Sequence, residues 1–296
     1  MTHAHFTALL KQIDSFPALP MTVNKVMTVT GNPESSAQDL MKAILPDQSM
    51  CAAILKIANS AFFGLPGEVS TIEKAVIVLG FAEIRNIVIG KAVFSSFQSL
   101  TKNNKTNIRL FWEHSFTCGL AAKILAEHLG YSPSEFFIAG LIHDIGKLAM
   151  LMTFPHDYSP LLELSEPNQS RSVIKENEMF SIGHDDIGKR LLRRWLFPES
   201  LIMAVGYHHS PLLAPTSRIS PLIVQMADIL SLIYCNPEKL NADDVIAIFK
   251  DFLPDNLQIW RDNNLPWEVE KTGIWYTELT ESRQKDGAVL DILSAS

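Results

Sequence analysis

Residues 138–152 read IAGLIHDIGKLAMLM, and the spacing of their apolar side chains decides the fold class. Ile138, Leu141, Ile142, Ile145, Leu148, Ala149 and Met152 recur at the spacing of a buried helix, which His143 and Asp144 interrupt. An ionised carboxylate in such a setting is costly unless it is paired, hydrogen-bonded or bound to a metal. On both sides of this stretch, helical spacing repeats through most of the chain, punctuated by short Pro, Gly, Asn and Ser breaks. No strand-like alternation competes with it. An all-α protein is expected.

The pattern predicts helices near 3–13, 20–30, 36–45, 49–59, 71–79 and 81–98, then near 109–129, 134–152, 157–165, 171–179, 184–195, 199–209 and 217–235. Ser36 with Asp39 has the spacing of a capping box. The polar run QSLTKNNKTN, residues 98–107, reads as a linker. Two packed helical lobes are therefore expected, an N-terminal lobe over 1–105 and a second bundle over 106–240. A C-terminal helical extension over 241–296 follows, in which Trp260, Trp267 and Trp275 argue for docking onto the body.

The chain has 296 residues, about twice the ~150 typical of one domain, with 47% hydrophobic and 19% charged residues, a globular and not a disordered composition. Its net charge of −7 repels phosphate backbones and speaks against general nucleic-acid binding. Cys51, Cys118 and Cys235 are odd in number and far apart, which suits neither a disulfide framework nor a CxxC site. No uninterrupted apolar run reaches the ~18 residues of a membrane span, and the N-terminus lacks a signal-peptide pattern. A cytoplasmic protein without membrane contact is expected.

His143 and Asp144 do not stand alone. His114 lies on another apolar helix, FWEHSFTCGLAAKILAEHL, and His184 opens HDDIGKRLLRRW. His208 and His209 end a further helix, and Asp228 interrupts the apolar SPLIVQMADILSLIYC. Imidazole and carboxylate ligands without thiolate suit Fe, Mn, Ni or Zn, and a carboxylate such as Asp144 can bridge two ions. Glu113, beside His114, is a weaker ligand candidate whose ordinary reading is a solvated helix residue. Lys147 shares the helix face of His143, where its ammonium could meet a phosphate or snorkel to solvent. Lys189, Arg190, Arg193 and Arg194 read as a solvated basic face. Phe62, Phe63, Gly64 and Pro66, after Asn59 and Ser60, read as a packed aromatic loop.

The order His114, His143-Asp144, Asp228 resembles the HD superfamily, named for its His-Asp pair on a helical bundle. With His184, His208 and His209 it is similar to the two-metal set of the HD-GYP phosphodiesterases, which implies one ion per group, a bridging Asp144, and a Lys at the position of Lys147. The Gly-Tyr-Pro signature of that branch is missing, since His208-His209 continues as SPLLAPTSRIS. The stretches FPALP (16–20), ILKIANSAFFGLP (54–66), AVIVLGFAEIRNIVI (75–89), AGLIHDIGKL (139–148) and WLFPESLIMAVGYHHSP (195–211) resemble the HDOD family of bacterial signalling output proteins. That resemblance implies an N-terminal helical lobe on an HD-like lobe.

The resulting expectation is a bacterial signal-transduction or regulatory protein with an HD-type metal centre, partnered by a signalling protein or a phosphorylated small molecule. The alternative is a metal-dependent phosphohydrolase acting on a nucleotide or cyclic-dinucleotide phosphoester, with Asp144 and Lys147 as catalytic residues. The expected cofactor is a divalent transition metal, two ions held by His114, His143, Asp144, His184, His208, His209 and Asp228, with Fe or Mn favoured over Ni or Zn.

Overall fold

The computed structural model describes residues 18–98, 105–163, 170–235, 240–252 and 256–294, with the isolated positions 11, 13, 16 and 100. Among the described residues there is no strand, as the helical spacing predicts. Internal contacts divide the chain into two units, Pro17–Asn103 with Ser282–Ser296, and Met1–Phe16 with Asn104–Glu281.

The first unit contains α1 (Met21–Gly31), α2 (Ala37–Ile44), α3 (Gln48–Ala58) and α4 (Ile72–Ser96). Ser36 caps α2 as expected. Its Oγ accepts from the Asp39 backbone N–H at 3.3 Å, and the Asp39 carboxylate accepts from the Ser36 N–H at 3.1 Å, so two otherwise orphaned donors are satisfied. The two helices predicted at 71–79 and 81–98 run together as α4 but remain kinked at Gly80, whose φ of 79° is a left-handed backbone open to glycine. Asn59 does structural work for the aromatic loop. Its side-chain amide donates to the Val69 carbonyl (2.8 Å) and accepts from the Val69 N–H (2.7 Å), closing residues 60–69, while Phe62 and Phe63 meet edge to face.

The second unit holds α5 (Lys105–Leu129), α6 (Pro133–Ile142), α7 (Ile145–Thr153), α8 (Pro155–Glu163), α9 (Ser170–Phe180), α10 (His184–Arg194), α11 (Glu199–Tyr207) and α12 (Ile219–Cys235), followed by α13 (Ala242–Phe252), α14 (Asn256–Asp262) and α15 (Lys271–Ser294), the last of which belongs to this unit only as far as Glu281. Helix α5 packs against α6 and α12, α7 against α10, and α11 against both α10 and α12. The core is apolar, with Phe116, Leu125, Ile145, Leu148, Leu191, Val205 and Leu230 buried. Trp260, Trp267 and Trp275 are buried too, and His128 of α5 binds Glu278 of α15 at 2.9 Å.

Two expectations meet a different outcome, and a third is tested at two positions only. The helix predicted over 134–152 is two helices, because the chain turns at His143-Asp144. Helix α5 begins at Lys105, inside the stretch read as a linker, of which residues 99 and 101–104 lie outside the described residues. Of the helix predicted over 3–13, positions 11 and 13 are helical and the others lie outside the described residues. The helical run Pro133–Thr153 is long and apolar enough by composition to cross a membrane, yet 83% of its apolar window is buried inside the protein, where it serves as core.

Candidate metal centre

The His-Asp pair sits at the joint between two helices. His143 closes α6 and Asp144 opens α7 with φ −96° and ψ 12°, and the Asp144 side chain makes no capping hydrogen bond. Its carboxylate is thereby spared for the interior. Two close backbone approaches bring the other elements to this joint. A methyl on Gly140 of α6 would lie 2.7 Å from the Cys118 carbonyl of α5, one turn beyond His114. A methyl on Gly146 of α7 would lie 1.9 Å from the carbonyl of His184, the first residue of α10. Only glycine permits these contacts, and they carry His114 and His184 to opposite sides of Asp144.

Of the candidate ligands named from sequence, all but Glu113 converge, in two groups. His114, His143 and Asp228 offer atoms within 4.8 Å of one another, and so do Asp144, His184, His208 and His209. Asp144 faces both. Its Oδ2 stands 3.4 Å from His143 Nε2 and 3.8 Å from His114 Nε2, whereas its Oδ1 stands 3.0 Å from His184 Nε2 and 3.7 Å from His208 Nε2. Asp228 Oδ1 lies 3.1 Å from His114 Nε2 and 3.4 Å from His143 Nε2. His184 Nε2 and His209 Nε2 approach to 3.0 Å.

Outer hydrogen bonds orient the imidazoles. His143 Nδ1 donates to the Gly140 carbonyl (2.7 Å), His208 Nδ1 to the Val205 carbonyl (2.9 Å) and His184 Nδ1 to Glu176 Oε2 (2.7 Å). Ser231 Oγ spends its proton on the Asp228 carbonyl (2.8 Å) and so accepts from His114 Nδ1 at 3.1 Å. With the Nδ1 atoms of these four histidines committed outward, their Nε2 atoms are left to face inward, the arrangement of metal-ligating histidines. The buried Nε2 atoms of His114, His143 and His208 and the Oδ1 of Asp144 make no hydrogen bond. Buried polar atoms left without hydrogen bonds are rare in native folds, and here they converge. The donors are all nitrogen and oxygen, a set that fits divalent transition ions.

The charge balance agrees. Asp144, Asp228 and Glu176 are buried carboxylates, set against the ammonium of Lys147, which is 2.6 Å from Asp144 Oδ2. Burial would push both aspartates up, yet each is held well below the usual carboxylate range, Asp144 by His143, Lys147 and His184, and Asp228 by His143 and His114. Burial opposes charge on His143 and His184, but Asp144 holds His143 well above 6.5 and Glu176 lifts His184 to about 9. Burial and His208 hold His209 well below its ordinary value. The cluster demands positive charge, and protons on His143 and His184 or bound cations are what can meet it.

Glu113 stands apart from both groups and pairs with Arg109 at 2.8 Å. Lys189 turns to Asp186 and lies over the Tyr207 ring. Three functional neighbours escaped the sequence reading. Glu176, Tyr158 and Ser231 are buried and orient site residues, with the Tyr158 hydroxyl donating to Glu176 Oε1 at 2.6 Å. Ser231 had a signal, one helical turn after Asp228. Glu176 lies in SRSVIKENEMF, whose polar composition resembles a solvated helix.

Residues 16–211 match the family model of the HDOD domain. The sequence is 26% identical over 222 residues, 74% of this chain, to an uncharacterized protein of Treponema pallidum (strain Nichols), and the chain spans 42% of that relative's length. Two solved structures are similar over nearly their whole lengths. One is a candidate phosphohydrolase from Shewanella amazonensis SB2B, with a TM-score of 0.72, 22% identity, and 97% of this chain and 98% of that one covered. The other is an HDOD domain protein of unknown function from Geobacter sulfurreducens, with a TM-score of 0.72, 23% identity, and 98% of each chain covered. At these identities the likeness is one of fold.

Proposed function

Since the chain belongs to the HDOD family, we propose that its second unit is a metal-dependent phosphohydrolase centre acting on a phosphoester of the nucleotide or cyclic-dinucleotide class. The observation that carries this reading is the division of the Asp144 carboxylate, one oxygen facing each ligand group. His114, His143 and Asp228 would hold one divalent ion and His184, His208 and His209 the other, with Asp144 between them. Fe or Mn is favoured, and Ni or Zn suits the same donors. Two such ions supply electrophilic activation of phosphoryl oxygens and of water.

The chain's own residues supply the remainder. His143 and Asp144 are fixed by the helix joint, so the ligand groups are set before any substrate arrives. Lys147 is 16% exposed on its side chain, and its ammonium is placed to hold a phosphoryl oxygen carrying negative charge. His114 and His209 are the part-exposed members of their groups, as Lys147 is part-exposed beside them, in an otherwise buried centre. The net charge of −7 favours a small phosphorylated ligand over a nucleic acid.

A second reading is regulatory. The near-complete burial of His143, Asp144, His184 and His208 favours a centre that holds ions to shape a signalling surface for a protein partner or to bind a phosphorylated ligand without turning it over. The deciding experiment is to load the full chain with Mn(II) or Fe(II) and screen cyclic dinucleotides, nucleotides and simple phosphoesters. Metal-dependent turnover lost in Asp144→Ala supports the hydrolase. Ligand binding without turnover across the panel moves the assignment to the regulatory reading.

A further inference from the structure

The two ligand groups differ in what stands behind them. The His114 and His143 group has a carboxylate of its own, Asp228, in contact with both imidazoles. The His184, His208 and His209 group has none, and shares Asp144 with the other group and with Lys147. Behind it lies Glu176, 1% exposed. Glu176 Oε2 accepts from both the backbone N–H and the Nδ1–H of His184, each at 2.7 Å, and Oε1 accepts from the Tyr158 hydroxyl at 2.6 Å. His114, His143 and His208 rest on neutral oxygens instead, those of Ser231, Gly140 and Val205.

We propose that Glu176 is a positioning residue that supplies, through His184, the negative charge the three-histidine group lacks, so that the ion of that group depends on Glu176 and the other ion does not. The inference rests on the metal reading above. A carboxylate hydrogen-bonded to the outer nitrogen of an imidazole makes the inner nitrogen a stronger donor, and low dielectric preserves the effect. Tyr158 pins the far oxygen, so the carboxylate keeps one orientation toward His184. The two hydrogen bonds Glu176 accepts from His184 also lock the first turn of α10, which sets where Nε2 points.

The charge can be separated from the geometry. In Glu176→Gln the side-chain oxygen still accepts both N–H groups of His184, while its amide can donate to the Tyr158 hydroxyl, so the hydrogen bonds survive and the charge is lost. Mn(II) alone is titrated into the full chain, with metal content and the electron paramagnetic resonance spectrum as readouts. The wild type is expected to take two ions with a spin-coupled spectrum. Glu176→Gln should bind one ion as the wild type does, weaken the second about 10- to 100-fold, and show the spectrum of isolated Mn(II). Asp228→Asn should do the reverse, keeping an ion at the three-histidine group.

Unchanged binding of two ions by Glu176→Gln, or equal weakening of both, overturns the proposal while leaving the metal centre intact. A wild type that takes up no ion overturns the metal reading and this inference with it. Should Glu176→Gln not fold, Tyr158→Phe removes the buttress alone and should weaken the same single ion several-fold. No change in that variant counts against the proposal.

Discussion

Lys147 Nζ lies 2.6 Å from Asp144 Oδ2, the oxygen that also faces His143 and His114, while Oδ1 faces His184 and His208. One buried carboxylate thus joins a cation and two ligand groups. Asp144→Ala should abolish binding of both ions, whereas His209→Ala, which touches one group, should weaken mainly one. Metal content after dialysis against Mn(II) distinguishes these outcomes. Retention of both ions in Asp144→Ala would sink the bridged arrangement.

Removing the Lys147 ammonium separates metal holding from phosphate handling. Lys147→Ala should retain both ions, because the lysine is not a ligand, and lose roughly one to three orders of magnitude in turnover, the scale of losing one electrostatic stabiliser. Rates on whichever phosphoester the panel identifies, measured at matched metal content, are the check. An unchanged rate would confine Lys147 to neutralising Asp144.

Protons and cations compete for this centre. His184 has its value raised from 6.5 to about 9, chiefly by Glu176 against burial, and His143 is raised well above 6.5 by Asp144 against burial. Without ions, the charged form of His184 stabilises the fold fully below about 6.5, and this contribution fades as pH rises through about 9. Ligands must be deprotonated, so metal uptake near neutral pH should release protons and strengthen as pH rises toward 9. Calorimetry in buffers of different ionisation enthalpy measures the release. Buffer-independent heats would contradict it.

The crossing of α7 and α10 depends on Gly146, where a methyl would meet the His184 carbonyl at 1.9 Å. Backbone cannot yield as a flexible side chain does. Gly146→Ala should therefore destabilise the protein by about 1–3 kcal/mol, lowering Tm by roughly 2–4 °C per kcal/mol, and should weaken the ion shared by Asp144 and His184. Thermal unfolding with and without Mn(II) tests both effects; a wild-type Tm would show that the two helices can part freely.

Thiol labelling offers a check on packing around the centre. Cys118 is fully buried beside His143, and burial lifts its thiol to about 11, whereas Cys235 is exposed. An aromatic disulfide reagent should modify Cys235 rapidly in the native protein and leave Cys118 untouched until denaturant is added. Rapid native labelling of Cys118 would mean that the α5–α6 contact opens.

Much of this was legible along the chain. Apolar spacing marked the helices because burying one stripe of a helix leaves a local, periodic trace, and Ser36 with Asp39 announced the start of α2 for an equally local reason. The candidate ligands stood out because imidazoles and carboxylates inside apolar helices are expensive unless something compensates them. Resemblance to known families then ordered them into two groups.

Other features leave no such trace. The apolar helical spacing resumes in phase beyond His143-Asp144, so the pair reads as polar residues within one helix and not as the turn that frees the carboxylate from capping. Glu176 is hidden for the opposite reason: its neighbours are polar, and burial comes from the approach of α8 and α10, not from its own helix. Which oxygen of Asp144 serves which histidines depends on distances among α5, α7, α10 and α11, elements far apart in the chain. Residue types and their spacing carry the chemistry of single helices; the division of one carboxylate between two groups arises from how closely backbones pack, at Gly140 and Gly146, once the helices have met.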